Sequence, residues 1–489
     1  MLHPRFENTY AGLPARFYSR TDPTPVAAPR LIRFNAPLAV ELGLEVDVSD
    51  AEGIAQVLSG NRILPGSEPL AMAYAGHQFG HFVPQLGDGR AILLGEVRDR
   101  DGALRDIQLK GAGRTPFSRG GDGRAALGPV LREYIVSEAM TALGIPSTRT
   151  LAAVSTGQTV LREEPLPGAI LTRIAASHIR VGTFQYFAAR DDYEAVRALA
   201  DYVIARHYPE LKPAPGPYLE LLKAVMRRQA SLVAKWLHVG FIHGVMNTDN
   251  STVSGETIDF GPCAFMDAYD ANKVFSSIDR NGRYAYSHQP SIAQWNLVRL
   301  AETLLPLIDV NEGRAIELAT ESINAFAGEV DQQWLRGMRA KLGLSTADPR
   351  DLELAQSLLA IMQRTEADFT LTFRGLCSLA ESDETLKVER LGEDGQFAAW
   401  LTDWKTRCVS EPLPGSERAA AMRAVNPKYI PRNHRIEELI QAAVEREDFS
   451  LFDNLLSVLA KPFDEQPEAD AYAVPPRPEQ RVAQTFCGT

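Results

Sequence analysis

HGVMNTDNSTVSGETIDFG, which spans His243–Gly261, is the most informative segment of this chain. We interpret it as a loop that carries Asn250, followed by a strand, a tight turn and a second strand that ends in Asp259–Phe260–Gly261. Kinase-like phosphotransferases use such an arrangement to place an Asn and an Asp on either side of a metal ion bound to nucleotide phosphates. Asp259 follows Asn250 by nine residues. This spacing favours a metal-binding loop over the alternative, an acidic surface hairpin.

The loop departs from the kinase pattern at Val245. Protein kinases carry H-R-D at this place and related small-molecule kinases carry H-G-D, whereas this chain has His243–Gly244–Val245. Valine cannot accept a proton from a substrate hydroxyl, so ordinary protein phosphorylation is not expected. Asp249, directly before Asn250, is the only new carboxylate in the loop. It is the candidate for either a substitute base or a metal ligand.

A glycine-rich turn and a lysine precede this loop, in the order that a nucleotide site requires. Gly87–Asp88–Gly89–Arg90 lies just before the predicted strand Ala91–Val97, and its glycines would let backbone N–H groups approach phosphate oxygens. Lys110 ends the next predicted strand. We expect it to pair with Glu133 on the following helix, with Glu138 as the alternative partner. A plain turn and a solvated lysine are the competing interpretations.

A second glycine-rich stretch, GAGRTPFSRGGDGR at Gly111–Arg124, adds arginines to the same region. Planar guanidinium groups and accessible backbone amides suit a polyphosphate. Two further arginines lie near the junction of the β-rich and helix-rich sections and could reach the same cleft, although a single arginine is more often a surface residue. The candidates in these segments are Arg114, Arg119, Asp122, Gly123, Arg124, Arg173 and Arg180.

Predicted strands dominate the first part of the chain, and predicted helices dominate the second part. Strands are predicted at Ala91–Val97, Asp106–Lys110, Thr159–Arg162 and Ala169–Arg173, and helices at Ala36–Leu44, Leu131–Leu143, Leu219–Leu237, Ile292–Ile308, Glu312–Phe326, Asp351–Thr365 and Arg435–Glu447. This order favours the fold class α+β, as a protein-kinase-like two-lobed fold with a β-rich N-lobe and a helical C-lobe. The expected divisions are an N-terminal extension (1–60), the β-rich nucleotide-binding lobe (61–175), the helical lobe with the catalytic loop (176–460) and a C-terminal tail (461–489).

Composition and charge limit the classes of function. The 489 residues are 45% hydrophobic and carry a net charge of −11, which disfavours a general nucleic-acid binder. No run of about 18 apolar residues occurs, and the N-terminus does not resemble a secretory signal. We therefore expect a cytoplasmic protein with no nucleic-acid or membrane partner.

The four cysteines do not form a zinc or disulfide pattern, because they are far apart and contain no CxxC pair. Cys263 follows the metal-loop segment and Cys487 lies near the C-terminus. We regard them as a candidate redox pair, with two unrelated thiols as the alternative. His77 and His81 have metal-ligand spacing for a helix, but the neighbouring glycines disfavour a helix there and we expect a structural role.

Several long segments resemble the selenoprotein O family, whose bacterial members are called YdiU. The similar segments are Tyr74–Glu96, Leu109–Gly128, Arg132–Met140, Gly240–Tyr269, Phe275–Gln289 and Asn426–His434. They follow one another in order over nearly the whole chain. Members of this family are described as pseudokinases that bind ATP in a reversed orientation and transfer AMP to Ser, Thr or Tyr of target proteins.

The resemblance implies a role for each candidate residue. Asp249 would accept the proton of the attacking hydroxyl, and Asn250 and Asp259 would bind Mg²⁺, with Mn²⁺ as the alternative metal. The nucleotide contacts, with ATP as co-substrate, would come from Gly87, Gly89, Arg90, Lys110, Asp122, Gly123, Arg173, Arg180 and Asp259. Protein substrates that bear Ser, Thr or Tyr hydroxyls are the implied partners. Eukaryotic members carry selenocysteine near the C-terminus where this chain has Cys487, which keeps the redox-pair hypothesis open.

Three other functions remain as alternatives. Bacterial members have been linked to UMP transfer from UTP with Mn²⁺. A kinase-like phosphotransfer is the second alternative, against which Val245 argues. The third is a regulatory scaffold that binds nucleotide without catalysis, which the predicted metal pair and Lys110 make less attractive.

Overall fold

The computed structural model describes residues 3–381, 391–392 and 394–486 of the chain. It has a mixed α/β architecture in which the large sheet precedes most of the helices. The strands are β1 (Tyr18–Arg20), β2 (Arg30–Phe34), β3 (Leu70–Met72), β4 (Gly76–Gln78), β5 (His81–Val83), β6 (Ala91–Arg98), β7 (Leu104–Lys110), β8 (Ala125–Ala126), β9 (Arg149–Leu161), β10 (Pro165–Ala175), β11 (Phe241–Ile242) and β12 (Ala264–Phe265).

The helices are α1 (Ala36–Glu41), α2 (Ala51–Leu58), α3 (Leu127–Ala142), α4 (Val181–Ala188), α5 (Tyr193–His207), α6 (Pro217–His238), α7 (Gln289–Ile308), α8 (Glu312–Lys341), α9 (Asp351–Thr365), α10 (Phe369–Glu381), α11 (Gly395–Val409), α12 (Gly415–Arg423), α13 (Asn433–Arg446), α14 (Ser450–Leu459) and α15 (Asp470–Ala473). Within the described ranges, no helix combines the length and the apolar character needed to cross a bilayer.

The large antiparallel sheet has the strand order β1-β3-β6-β7-β10-β9-β2, and β8 also pairs with β10. Successive side chains of its strands point to opposite faces. Ile92 and Leu109 belong to the core shared with α1 and α2 on one face. Leu93 and Leu171 belong to the core shared with α3 on the other. The sheet is therefore the middle of three layers, and the end of β7, at Lys110, lies beside α3.

Helix α3 is buried along most of its length because it has partners on two sides. One side packs on β9 and β10, and the other side packs on α13 and α14. The rings of Tyr134 and Phe452 lie 5.3 Å apart in an edge-on contact. Arg132 forms an ion pair with Glu437. These contacts hold α3 in one position against the sheet.

Helix α6 organises the helical section and leads into the functional loop. It begins at Pro217, where the fixed φ of proline suits a first helical turn, and packs against α7 and α8. Gly240 follows its C-terminus with φ +71°, a left-handed conformation that ends helices readily when the residue is glycine. The chain then enters β11 and the segment that starts at His243.

The predicted helices are present, and their boundaries differ most in α8. We predicted Glu312–Phe326, whereas α8 extends to Lys341. Beyond Phe326 only Val330, Met338 and Lys341 of this helix are buried, so the apolar periodicity fades although the helix continues. The prediction therefore stopped where the buried stripe becomes sparse.

The expected strand–turn–strand arrangement within Ser251–Asp259 is wrong. This segment pairs with other parts of the chain instead of with itself. The backbone O of Ser251 accepts from Val181 N at 2.8 Å, and Thr257 O accepts from Thr148 N at 2.9 Å. Because these neighbours satisfy the backbone groups from two sides, the segment needs no internal ladder.

Candidate active site

A cleft of about 740 Å³ lies between the sheet and the segment 245–261. The predicted nucleotide, metal and catalytic residues that line it are Gly87, Gly89, Arg90, Lys110, Asp122, Gly123, Glu133, Arg173, Arg180, Asp249, Asn250 and Asp259. Val245 lines the same cleft, and Cys263 does not. The fold thus brings together residues that are widely separated in the sequence.

Four charged side chains form a continuous network on one wall of the cleft. Lys110 Nζ lies 2.6 Å from Glu133 Oε2 and 3.5 Å from Asp259 Oδ1. Arg173 joins the same two carboxylates, with Nε 2.5 Å from Glu133 Oε1 and Nη2 2.5 Å from Asp259 Oδ1. Burial acts to raise the pKa of Asp259, but the charges of Arg173 and Lys110 hold it well below its usual value. Asp259 is therefore ionised and fixed to the sheet.

Asp259 also has an uncommon backbone conformation. Its φ is +62°, in the left-handed region that non-glycine residues other than Asn and Asp rarely adopt. Such a conformation costs free energy and persists where surrounding contacts determine it. The ion pairs of the carboxylate with Lys110 and Arg173 are such contacts.

Arg180 connects Asp259 to the loop that carries Asp249. Its Nη1 donates to the backbone O of Asp249 at 2.9 Å and lies 3.6 Å from Asp259 Oδ2. Its Nε donates to His178 O at 3.1 Å, and its guanidinium lies 4.3 Å from the centre of the Tyr74 ring. These contacts hold a buried side chain in one orientation. Nothing in the sequence pattern indicates that Arg180 joins the two segments.

Asp249 occupies a confined position in the cleft, where only 7% of the residue is exposed. Gln78 Nε2 donates to its Oδ2 at 3.1 Å, whereas Oδ1 is buried without a hydrogen-bond partner among the described residues. Burial raises the pKa of Asp249 to about 6, and the hydrogen bond from Gln78 opposes this effect. A carboxylate with a raised pKa and an unused acceptor oxygen is suited to receive a proton.

Two glycines leave the space that Asp249 occupies. A Cβ on Gly76 would lie 2.4 Å from Asp249 Oδ1. A Cβ on Gly182 would lie 2.0 Å from Ala75 O and 3.4 Å from the Cα of Asp249. The absence of side chains at these positions therefore determines where the carboxylate can lie.

Asn250 and Asp259, the predicted metal ligands, present two different oxygen donors to the cleft. Asn250 Nδ2 donates to Val245 O at 2.9 Å, which orients the amide and leaves its Oδ1 as an acceptor. In the part of the chain that the structure describes, no group of three His, Cys, Asp or Glu side chains could hold a metal ion. One carboxylate and one amide fit a hard divalent cation only when phosphate and water oxygens complete its coordination. These residues thus fit Mg²⁺ or Mn²⁺ that binds together with a nucleotide.

The glycine-rich turn before β6 packs closely against Phe117. Gly87 has φ +70°, and a Cβ on it would lie 2.3 Å from Phe117 Cγ. A Cβ on Gly89 would lie 2.9 Å from Phe117 O. Between them the buried Asp88 accepts from Met72 N at 3.1 Å and so anchors the turn. The backbone of the turn forms a firmly held edge of the cleft.

The second glycine-rich stretch forms a more exposed rim. Asp122, a predicted nucleotide contact, pairs with Arg162, whose Nη1 lies 2.9 Å from Asp122 Oδ2. Gly123 has φ +67°, and a Cβ on it would lie 2.0 Å from Gly113 O. The exposed arginines of this rim are Arg114 and Arg119. The rim therefore adds positive charge at the opening of the cleft.

Of the candidate redox pair, the structure describes Cys263. Cys263 is fully buried, burial raises the pKa of its thiol to about 12, and its Sγ donates to Phe260 O at 3.5 Å. Cys487 lies outside the described residues, so the pairing stays a prediction. Thr485, which precedes it by two positions, donates from Oγ1 to Pro262 O at 2.5 Å. The tail therefore reaches the residue next to Cys263.

Sequence reasoning missed the hairpin formed by β4 and β5, which contacts the loop that carries Asp249. His77 N donates to Thr248 Oγ1 at 2.7 Å, and Phe79 N donates to Asn247 Oδ1 at 3.1 Å. The sequence offered one signal for this hairpin, the pair Phe79–Gly80 between two short segments. In the structure both residues have positive φ and form the two-residue turn of the hairpin. The hairpin is a structural part of the site.

Comparison with known proteins identifies relatives over the full length of the chain. The profile of the family described as "Protein adenylyltransferase SelO" matches residues 1–460. A protein of Rhizobium rhizogenes (strain K84) named "Protein nucleotidyltransferase YdiU" is 66% identical over 486 residues, which cover 99% of this chain and 97% of that protein. A protein of the same name from Rhodopseudomonas palustris (strain BisB5) is 61% identical over 490 residues, which cover 100% of both.

Proposed function

This chain belongs to the SelO family of protein nucleotidyltransferases, and from that premise we propose that it transfers AMP from ATP to Ser, Thr or Tyr hydroxyls of target proteins, with release of pyrophosphate. The observation that carries the proposal is a contrast within one loop. Val245, at the position of the kinase base, is aliphatic. Asp249 is buried in the same cleft with one carboxylate oxygen that has no partner among the described residues. The reaction therefore needs Asp249 where a kinase would use the earlier position.

We also propose that the architecture is that of a two-lobed protein kinase. The antiparallel sheet carries Lys110 at the end of β7, and the adjacent α3 carries Glu133. The 2.6 Å contact of these side chains is the arrangement that kinase-like sites use to hold nucleotide phosphates. Helices α13 and α14 pack against α3 and so help to keep Glu133 beside Lys110.

The phosphates of ATP would lie against Lys110, Arg173 and Arg180. These three cations form ion pairs with two carboxylates, Asp259 and Glu133, which leaves an excess of positive charge. A polyphosphate would neutralise that excess in a site largely screened from water. The exposed arginines of the rim extend the positive surface. This supports a reversed nucleotide, in which the arginines hold the phosphate that normally points to solvent.

Mg²⁺ or Mn²⁺ would bind through Asn250 and Asp259 together with phosphate oxygens. When bound, such an ion offsets phosphate charge and polarises the reacting phosphoryl group. Asn250 contributes an oriented amide, and Asp259 contributes a carboxylate that stays ionised. Asp249 then remains available for proton transfer.

The proposed step begins with the acceptor hydroxyl beside Asp249. The hydroxyl oxygen forms a bond to the α-phosphorus while its proton passes to the Asp249 carboxylate. The bond between the α-phosphorus and the bridging oxygen breaks, and pyrophosphate leaves with the electron pair. Lys110 and Arg173 stabilise the charge that develops on pyrophosphate. Asp249 later releases the proton to water.

Labelled nucleotides and mass spectrometry test this function. The protein is incubated with proteins of a bacterial extract and with ATP labelled at either the α- or the γ-phosphate, in Mg²⁺ or Mn²⁺. Transfer of the α-label and a mass gain of AMP on the acceptors are expected. Transfer of the γ-label would indicate a kinase-like reaction, and transfer of UMP alone, from UTP, would change the assigned nucleotide. Nucleotide binding without labelled acceptors would favour the regulatory scaffold.

Gly76→Ala is expected to lower the rate of AMP transfer by about 10²-fold, because the new methyl group must displace the Asp249 carboxylate by about an ångström. ATP affinity should change little, since Lys110 and Arg173 lie on β7 and β10 and do not contact Gly76. Steady-state kinetics and an ATP titration measure the two quantities separately.

The matched control is Gly328→Ala in α8, where the added Cβ meets nothing within 4 Å. This variant should retain the kinetics of the original protein. If Gly76→Ala weakened ATP binding as strongly as it slowed transfer, the substitution would be acting on the whole cleft and not on Asp249.

Val245→Asp is expected to create no phosphotransfer activity and to lower AMP transfer by about tenfold. Only 6% of Val245 is exposed, so a carboxyl group there would be buried beside the proposed metal ligand Asn250 without a partner. The reversed nucleotide would also keep the γ-phosphate away from this position. Transfer from γ-labelled ATP measures the outcome, and a γ-label on the acceptors would contradict the proposed orientation.

A further inference from the structure

A second surface adjoins the mouth of the cleft. It is formed by the β4–β5 hairpin (Gly76–Val83) together with Ile278, Arg283 and Trp295, and we call it the hairpin platform. The hairpin and Ile278 also contribute to the lining of the cleft. The platform is therefore continuous with the site, whereas Arg283 lies outside the lining.

The platform is fixed relative to the proposed base. Gln78 at its inner end donates to Asp249 Oδ2 at 3.1 Å. Phe79 N donates to Asn247 Oδ1 at 3.1 Å, and Tyr284 donates from its hydroxyl to the same oxygen at 2.5 Å. A polypeptide that lies on the platform would thus have a defined position with respect to Asp249.

Arg283 is a stacked cation at the outer end of the platform. Its guanidinium carbon lies 4.8 Å from the centre of the Trp295 ring, and a Cβ on Gly80 would lie 3.7 Å from it. Its Nε is buried without a hydrogen-bond partner among the described residues. No carboxylate in residues 3–381, 391–392 or 394–486 forms an ion pair with it. Although the chain carries a net charge of −11, the described residues provide this cation with no acidic partner.

Arg299 provides an internal comparison. It stacks on the same Trp295 ring at 5.0 Å, but its Nη2 lies 2.6 Å from Glu302 Oε1. An arginine on this ring can therefore bind a carboxylate while it remains stacked. Arg283 has the same stacking without the carboxylate, so its charge is available to a molecule from outside.

The platform also exposes apolar side chains. Ile278, which lines the cleft, is 56% exposed, and Phe82 of the hairpin is 40% exposed. The ring of Phe82 lies 4.9 Å from that of His77, so its position is fixed by the hairpin. Exposed apolar groups beside a stacked arginine are typical of surfaces that bind polypeptide.

We propose that the hairpin platform binds the acceptor segment of the target protein and that Arg283 binds an acidic side chain of that segment. The inference rests on the proposed AMP transfer and adds a substrate class to it: hydroxyl acceptors with a nearby Asp or Glu. Gln78 contacts Asp249, and Gly80, two positions further along the hairpin, lies beside Arg283. An acidic side chain that reaches Arg283 therefore belongs within about four residues of the accepting hydroxyl.

Synthetic acceptor peptides test this substrate class. Each peptide contains one Ser, Thr or Tyr, with Glu, Gln or Lys placed at successive distances on either side. The original protein is expected to prefer the best Glu peptide over its Gln counterpart by about tenfold in kcat/KM. Arg283→Gln should reduce that preference to about twofold or less, with an unchanged KM for ATP. Arg283→Glu should reverse it in favour of the Lys peptide.

Arg280→Gln is the matched control, because Arg280 is an exposed arginine in the same loop. It should keep the preference for the Glu peptide. If Arg280→Gln lost the preference equally, or if Arg283→Gln kept it, the assignment of Arg283 would be overturned while AMP transfer stood. A changed KM for ATP in Arg283→Gln would assign the residue to the nucleotide and also overturn the inference. No AMP transfer to any peptide or extract protein would remove the proposed function and this inference together.

Discussion

Asp249→Asn is expected to lower the rate of AMP transfer by about 10²- to 10⁴-fold, the range that a general base contributes. The asparagine has nearly the same shape and can still accept the hydrogen bond from Gln78, but it cannot take the proton of the hydroxyl. Lys110, Arg173 and Asp259 are unchanged, so ATP affinity should stay within about twofold. Single-turnover kinetics and calorimetric titration with ATP measure the two effects separately.

A stability measurement separates chemistry from folding in this variant. Burial of the Asp249 carboxylate is unfavourable, since its Oδ1 lacks a partner among the described residues. Removal of that charge should leave the melting temperature equal or higher, as is common for residues kept for function. A large fall in melting temperature together with the loss of rate would point to a structural role. Unchanged transfer would show that another group accepts the proton.

The residues that line the candidate site could be predicted from the sequence because they lie in short local patterns. Asn250 and Asp259 follow each other within one loop, and Gly87–Arg90 lies directly before a strand. Lys110 ends a strand and Glu133 lies on the next helix, and the fold places their side chains in contact. In each case, the residue types and their order along the chain indicate the chemistry before any distance is known.

Contacts between distant segments could not be predicted in the same way. The expected strand–turn–strand arrangement failed because Ser251 and Thr257 pair with Val181 and Thr148, which are remote in sequence. The hairpin β4–β5 is too short to show a clear alternating pattern. The link from Arg180 to both halves of the site exists only after the chain has folded. Such long-range contacts leave no local pattern in the sequence, because the identity of an arginine or a glycine does not indicate which distant residue it contacts.

Helix α3, which carries Glu133, is held in place by the C-terminal helices, and the sequence pattern does not show this. Kinase-like proteins can regulate the Lys–Glu pair by moving the corresponding helix. Here Tyr134 packs against Phe452 and Arg132 pairs with Glu437, so the C-terminal helices hold α3 in place. Control of this enzyme by displacement of α3 would require the C-terminal helices to move as well.

Asp259→Ala is expected to abolish AMP transfer, with a loss of at least about 10³-fold. The substitution removes the carboxylate of the proposed metal site and also the group on which Lys110, Arg173 and Arg180 converge. Without that counter-charge the three cations remain beside the nucleotide site. Metal-free ATP should therefore bind the variant at least as tightly as the original protein, although the reaction stops.

The diagnostic quantity is the coupling between metal and nucleotide. In the original protein Mg²⁺ or Mn²⁺ should tighten ATP binding by about tenfold or more, because phosphate oxygens complete the coordination of the ion. In Asp259→Ala this factor should fall to about one, as measured by ATP titrations with and without metal. Asp259→Asn is the companion variant, because asparagine tolerates the observed φ of +62° better than alanine does. Asp403→Ala, at an exposed position of α11, is the surface control. Full activity and intact coupling in Asp259→Ala would show that the metal assignment is wrong, because no other carboxylate in the described residues joins Lys110, Arg173 and Arg180 at one point.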